Sequence, residues 1–283
     1  MKMLIKTLLS TFLLISVIGV NISIGEASMI QTRENQANEI TLKLYDNKNL
    51  SQLTEDAELQ SIMKKFIYND INQQVNMSLM QKELLTLVIL TANSSTSALP
   101  LHIKGALRSG ASPEQIRETI IQCTPYIGLP KVAESLTVMT QVFKKEKIQL
   151  PISTAATVND ENRYQKGLAT QKEIFGSAID KMNESTPEDL KHINYYLSSN
   201  CFGDYYTRQI LNLKERELIT FTALITLGYC DPQVRAHING NLSVGNTRQD
   251  LLDAVTIALP YIGYPRTLNA IAAINSIIVP SKK

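Results

Sequence analysis

His102 to Lys131 reads HIKGALRSGASPEQIRETIIQCTPYIGLPK, and His237 to Arg266 reads HINGNLSVGNTRQDLLDAVTIALPYIGYPR. The two align without a gap at an offset of 135, and ten of the thirty positions are identical: His, Ile, Gly, Leu, Gly, then Pro, Tyr, Ile, Gly, Pro. A fixed offset held over that length marks a duplicated structural unit. The repeat continues upstream, where Lys82-Glu83-Leu84-Leu85-Thr86 is matched by Arg216-Glu217-Leu218-Ile219-Thr220 at an offset of 134. The one-residue slip falls between glutamate and histidine, where a loop absorbs it. Further back, Asp70 stands opposite Asp204, behind Tyr68 and Phe202 respectively.

Each copy reads as helical. Leu84 to Thr91 and Leu218 to Leu227 are apolar runs that suit buried helices. Ser112-Pro113-Glu114-Gln115 offers a cap, a proline at the first helical position and a polar third residue; Thr247 to Asp250 repeats the logic. Ile116, Ile120 and Ile121, like Leu251, Leu252 and Val255, follow at helical spacing. Gly110 and Gly245 fall where the preceding helix should end in the left-handed conformation. Pro130 and Pro265 open a last helix. No alternating strand pattern appears, so the fold class is all-α.

The chain of 283 residues divides into an export signal at 1–27, a first repeat at 28–149, a linker at 150–162 (LPISTAATVNDEN) and a second repeat at 163–283. Lys2 and Lys6 precede an uncharged run from Leu8 to Val20, and Gly25 and Ala27 are the small residues of a cleavage site after Ala27. Thirteen residues are too few to span a bilayer, so the expectation is a periplasmic or secreted protein without a stable membrane anchor. The 28 basic and 26 acidic residues are interspersed, which argues against a nucleic-acid partner. Three cysteines, Cys123, Cys201 and Cys230, occupy non-equivalent places in the two copies. That excludes a duplicated disulfide or zinc site.

Between Gly105 and Pro130, and again between Gly240 and Pro265, the chain resembles the carboxymuconolactone decarboxylase family. The resemblance rests on E-L-[LI]-T before an apolar helix, H-x-x-G-x-L-x-x-G, and P-Y-I-G-x-P. The second half adds an entry segment, FGDYYTRQILNLKERELIT, whereas the first has Asn69 in place of the glycine and Gln74 in place of Arg208. The resemblance implies two tandem alkyl hydroperoxidase D-like helical repeats forming a pseudo-dimer. Three such chains would make a homotrimer, a pseudo-hexamer of repeats. It also implies a lyase or proton-transfer enzyme without cofactor or metal, acting on a small organic acid or lactone.

By that resemblance the catalytic pairs are Glu83 with His102 and Glu217 with His237. An imidazole held by a carboxylate suits the chemistry, because decarboxylation leaves a carbanion or enolate that must be protonated. The structural alternative is a histidine bonded within the core and a glutamate serving as a helix charge. Tyr126 and Tyr261 read either as packing or hydrogen-bonding beside a tight interhelical turn or as lining a substrate pocket. Lys131 and Arg266, at a helix N-terminus, read either as solvated charges or as the cations that meet a carboxylate. Asp204 and Arg208 read as an internal ion pair. The thiol-peroxidase branch of the fold places cysteines seven and four residues before its histidine. Here those positions hold Cys230 and Gln233, and Ser95 and Ala98, so only Cys230 could serve a redox alternative. A non-catalytic binding or assembly protein on the same helical frame is the third reading. The signal predicts that mature protein recovered from a secreting host begins at Ser28 by N-terminal sequencing; an intact Met1 terminus on the exported protein would refute the assigned cut.

Overall fold

Four capping boxes, two in each repeat, set the frame. Ser78 with Gln81 and Asn212 with Glu215 open one pair of helices; Ser112 with Gln115 and Thr247 with Asp250 open another. In each, the cap side chain takes the third residue's N–H and that residue's side chain returns to the cap, satisfying two otherwise orphaned donors. The computed structural model describes residues 33–46 and 54–279, and every regular element among them is helical. The export signal expected at 1–27 lies outside the described residues. No described helix is long and apolar enough to cross a membrane.

The first repeat runs α1 (33–45) and α2 (Ala57–Lys65), which continues through a π-helical turn, Phe66–Ile71, into α3 (Asn72–Gln74). It then runs α4 (Leu79–Ala92), α5 (Leu99–Arg108), α6 (Pro113–Gln122), the short α7 (Thr124–Ile127) and α8 (Leu129–Lys145). The second runs α9 (Arg163–Phe175), α10 (Ala178–Ser185), a 3-10 turn at Glu188–Leu190, and α11 (Lys191–Tyr196), which continues as the π-helix Leu197–Tyr206. α12 (Leu213–Leu227), α13 (Asp231–Ser243) and α14 (Arg248–Ile277) complete it. α12, α13 and α14 answer α4, α5 and the α6-to-α8 run. Gly110 and Gly245 close α5 and α13 at φ +101° and +89°, as the sequence predicts. The P-Y-I-G-x-P glycines bend the chain sharply between helical segments, Gly128 at φ +87° and Gly263 at +74°, a conformation side chains with Cβ resist.

α4 and α12 are apolar nearly all round, with Glu83 to Ala92 buried without interruption. One continuous core therefore joins Leu87, Ile89, Ile120 and Phe143 of the first repeat to Phe221, Leu224, Ile238 and Ile274 of the second. The linker is irregular but bound: Ala155 is buried and its carbonyl accepts the Gln209 N–H at 2.9 Å, and Arg117 reaches the carbonyls of Ile152 and Ser153. Where the first repeat has Asn69, the second has Gly203, and there α9 meets the π-helix backbone to backbone. A Cβ on Gly203 would lie 2.3 Å from the Arg163 carbonyl oxygen.

Asp204 and Arg208 do not pair with each other. Asp204 is held by Arg163, as Asp70 is by Arg33 in the first repeat. The π-helix ends at Tyr206, and the chain then carries Arg208 across to α6, where it grips the fully buried Glu118 in a two-point bond of 2.7 and 2.8 Å. Arg117 and the fully buried Arg216 also face that carboxylate, at 3.1 and 3.9 Å. Burial brings the Arg216 guanidinium down to about 10, which leaves it charged at neutral pH. Removing one member of a buried charge cluster strands the others. Glu118→Ala should therefore cost about 3–5 kcal/mol in denaturant unfolding, whereas Arg33→Ala, at a largely exposed pair, should cost under about 1 kcal/mol. Equal losses would contradict a buried interrepeat cluster.

Candidate active site

Glu83 and Glu217 each sit one turn into an apolar helix, so the capping box before them fixes where a buried carboxylate enters the core. The adjacent helix supplies the histidine. His102 Nδ1 lies 2.9 Å from Glu83 Oε2, and His237 Nδ1 lies 2.8 Å from Glu217 Oε2. Gly105 and Gly240, three residues after each histidine, share its helix face. A Cβ there would fall 2.6 and 2.5 Å from those same Oε2 atoms. The spacing H-x-x-G therefore has a direct cause: the histidine holds the carboxylate and the bare Cα gives it room. In the second repeat Asn241 further ties the two helices, donating to the carbonyls of Glu217 and His237 at 3.0 and 2.7 Å.

The two repeats exchange their P-Y-I-G tyrosines. Tyr126 of the first repeat sets its ring edge-on to His237, with centroids 5.3 Å apart; Tyr261 of the second does the same to His102 at 6.1 Å. Each centre is thus completed across the repeat boundary. The second oxygen of each glutamate takes a tyrosine hydroxyl, but from different elements. Tyr45 on α1 reaches Glu83 Oε1 at 2.8 Å, and Tyr206 at the end of the π-helix reaches Glu217 Oε1 at 2.7 Å. Phe175 ends α9 as Tyr45 ends α1, and Asn72 stands where Tyr206 does in the repeat. The hydroxyl has changed places between copies. A cavity of about 30 Å³, bordered by Asn72, Thr86, Lys82 and Tyr261, lies beside Glu83. It has room for only a water or two.

Access differs as well. The His102 side chain is 1% exposed, and its Nε2 is buried without a partner among the described residues. The His237 side chain retains 10% exposure. With Nδ1–H directed at the carboxylate, Nε2 is the nitrogen left to accept or give a proton. It faces outward only in the second centre.

Lys131 and Arg266 do not join either pair. Lys131 Nζ bonds the Ala92 carbonyl at 2.6 Å, and Arg266 bonds the Thr226 carbonyl at 2.7 Å. Both cations thus satisfy the C-terminal ends of α4 and α12, where the helix field favours positive charge, rather than waiting at an N-terminus for an anion. Cys230 borders a separate cavity of about 120 Å³ with Tyr229, Asp231 and Arg266. Burial and the Asp231 carboxylate raise its thiol above the ordinary value, opposite to what a nucleophile needs. Sequence reasoning missed Cys201, whose Sγ lies 3.6 Å from the Tyr126 hydroxyl and whose thiol burial pushes up to about 12. It also missed Tyr45, Tyr68, Phe175 and Tyr206. Tyr206 lies inside the entry segment, but no local pattern aims it at Glu217. No cluster of His, Cys, Asp or Glu suited to a metal occurs among the described residues.

The model of the carboxymuconolactone decarboxylase family matches residues 57–141 and 195–276, one stretch in each repeat. The 4-carboxymuconolactone decarboxylase of Acinetobacter baylyi is 27% identical over 109 residues, 38% of this chain and 81% of its own. The nitrosuccinic acid decarboxylase of Metarhizium robertsii is 27% identical over 79 residues, 28% of this chain and 55% of its own. A solved chain from Burkholderia xenovorans aligns over 86% of this chain and 97% of its own, at 19% identity and a TM-score of 0.49.

Burial raises the phenols of Tyr45, Tyr68, Tyr126, Tyr206 and Tyr261, all in or beside the two centres. Unfolded, each ionises near the ordinary value of about 10. Their contribution to stability is complete below that pH and is lost as pH climbs beyond it toward the raised folded values. Alkaline titration followed at 295 nm should show these five ionising only together with loss of the helical circular-dichroism signal. Ionisation of all five ahead of unfolding would show that they are solvated.

Proposed function

The chain belongs to the carboxymuconolactone decarboxylase family, and from that premise we propose that it is a lyase whose working centre is the Glu217–His237 pair. The substrate class is a small organic acid or lactone. The named relatives are decarboxylases of a lactone acid and of a nitro-substituted acid. In both substrates the carboxylate stands in a molecule that can hold the electron pair left behind.

The observation that carries the reading is the geometry of His237: Nδ1 fixed on Glu217 and the imidazole not fully enclosed. In the step, the bond between the substrate carbon and its carboxylate breaks and carbon dioxide leaves. The electron pair stays on carbon, delocalised as an enolate or its equivalent. The proton on Nε2 of the imidazolium then passes to that carbon, leaving neutral imidazole. Glu217 stabilises the imidazolium while it exists and fixes the ring so that Nε2 faces the substrate. Tyr126 and Phe175, edge-on to the ring at 5.3 and 5.4 Å, form apolar walls that keep water from the reacting carbon.

Glu83 and His102 are, on this reading, a retained but closed copy. The same reading keeps export by the N-terminal signal and assembly of three chains into a pseudo-hexamer.

The asparagine amide can place an N–H donor where the imidazole Nδ1–H stood while deleting Nε2. His237→Asn is expected to lower kcat for carbon dioxide release from lactone acids by about 100- to 10,000-fold, with the thermal midpoint near that of the parent. His102→Asn should retain most of the turnover. Loss of activity only in His102→Asn, or none in either, would overturn the assignment.

A further inference from the structure

We propose that Gln122, a residue of the first repeat, is a positioning residue for the second centre, acting through a one-way chain of hydrogen bonds that ends on Glu217. The inference rests on the reading of Glu217–His237 as the working pair. Gln122 is the last residue of α6 and is fully buried at the repeat boundary. Arg216 Nη1 donates to its Oε1 at 2.7 Å. A guanidinium can only donate, so the amide orientation is fixed and Gln122 Nε2 points the other way. There it donates to Thr220 Oγ1 at 3.4 Å.

The directions beyond Thr220 follow from the end of the chain. Glu217 Oε1, as a carboxylate, only accepts, so the Tyr206 hydroxyl donates to it. Tyr206 oxygen must then accept from its two other neighbours, Thr220 Oγ1 and Tyr126 OH, each at 2.8 Å. Tyr126 in turn accepts from Cys201 Sγ. Every donor in the cluster therefore points toward Glu217, and one branch begins at a buried positive charge. Bonds aligned this way polarise one another and draw charge from the carboxylate oxygen that His237 does not use. His237 itself is faced by Glu217 from α12, Tyr126 from α7 and Phe175 from α9. Tyr206 and Cys201 stand behind that shell.

The first centre has a shorter chain, in which the Tyr68 hydroxyl donates to that of Tyr45 at 3.2 Å and Tyr45 donates to Glu83, but it begins at no charge and draws on no residue of the other repeat. Ile257 holds the place of Gln122 and Lys82 that of Arg216. Thr86, the counterpart of Thr220, turns its hydroxyl back to the Lys82 carbonyl at 2.8 Å. The branch that starts at a buried charge is thus particular to the second pair, and it makes that pair dependent on a residue from the other repeat.

The test uses the full chain without substrate, reading the Nδ1–H proton resonances of His102 and His237, assigned by their loss or displacement in His102→Asn and His237→Asn. Thr220→Val, nearly isosteric, cuts the chain in the middle; Gln122→Leu cuts it at its source. Both are expected to move the His237 proton downfield, because Glu217 becomes the stronger acceptor, and to leave that of His102 in place. Thr86→Val should leave the His237 proton in place. In turnover, both chain-cutting variants should lose roughly tenfold in kcat with KM held, the mark of an interaction made in the transition state. A His237 proton unmoved in Thr220→Val overturns the chain. Movement in Thr220→Val but not in Gln122→Leu overturns the role of Gln122, and equal movement of both histidine protons means general loosening of the core and overturns it too. A parent protein without turnover would instead defeat the lyase reading, and the resonance shifts would still decide this one.

Discussion

A carboxylate carried into a helical core must find a donor for each oxygen or lose much of its hydration energy without return. Glu217 finds two, the His237 imidazole on one oxygen and the Tyr206 hydroxyl on the other. Much of the second repeat follows from meeting that demand. The capping box at Asn212 sets the depth at which the glutamate enters, and Gly240 clears the space its carboxylate fills. The π-helix brings Tyr206 in from the side, and the bend at Gly128 turns Tyr126 across the repeat boundary. A charged group that costs energy to bury persists because its partners are built by several elements at once. This also makes it a sensitive point for chemistry.

The first repeat meets the same demand differently. Tyr45 supplies the hydroxyl from α1, and the vacated place at Asn72 leaves a small cavity rather than a ring. The two centres are related by duplication but are not chemically equal. One has an enclosed imidazole; the other has an imidazole that reaches the surface and a donor chain anchored on Arg216. Duplication within one chain permits this divergence, because neither repeat needs to support a complete centre alone. Each lends the other a tyrosine, and the Glu118 cluster locks the two together.

What was legible in the sequence is what local physics writes there. The offset of 135, the caps at Ser112 and Thr247, and the left-handed glycines all describe short stretches of backbone. The Glu–His pairing was legible through the resemblance, and H-x-x-G has a steric cause that any reader of the motif could state. Interrepeat geometry was not legible. Arg208 finds Glu118 ninety residues away rather than Asp204 four residues away, and Lys131 and Arg266 finish helix ends that no periodicity points to. Cys201, not the better-spaced Cys230, lies beside the second centre for the same reason. Side chains that act across a boundary between repeats leave no signature at a fixed spacing.

The central claim is that one of two similar Glu–His pairs is open and the other closed. Acylation by diethyl pyrocarbonate, followed peptide by peptide in the full chain by mass spectrometry, tests it without knowledge of the substrate. The account predicts rapid modification of the exposed His192, slower but measurable modification of His237, and protection of His102 until the protein unfolds. Equal rates at His102 and His237 would contradict it.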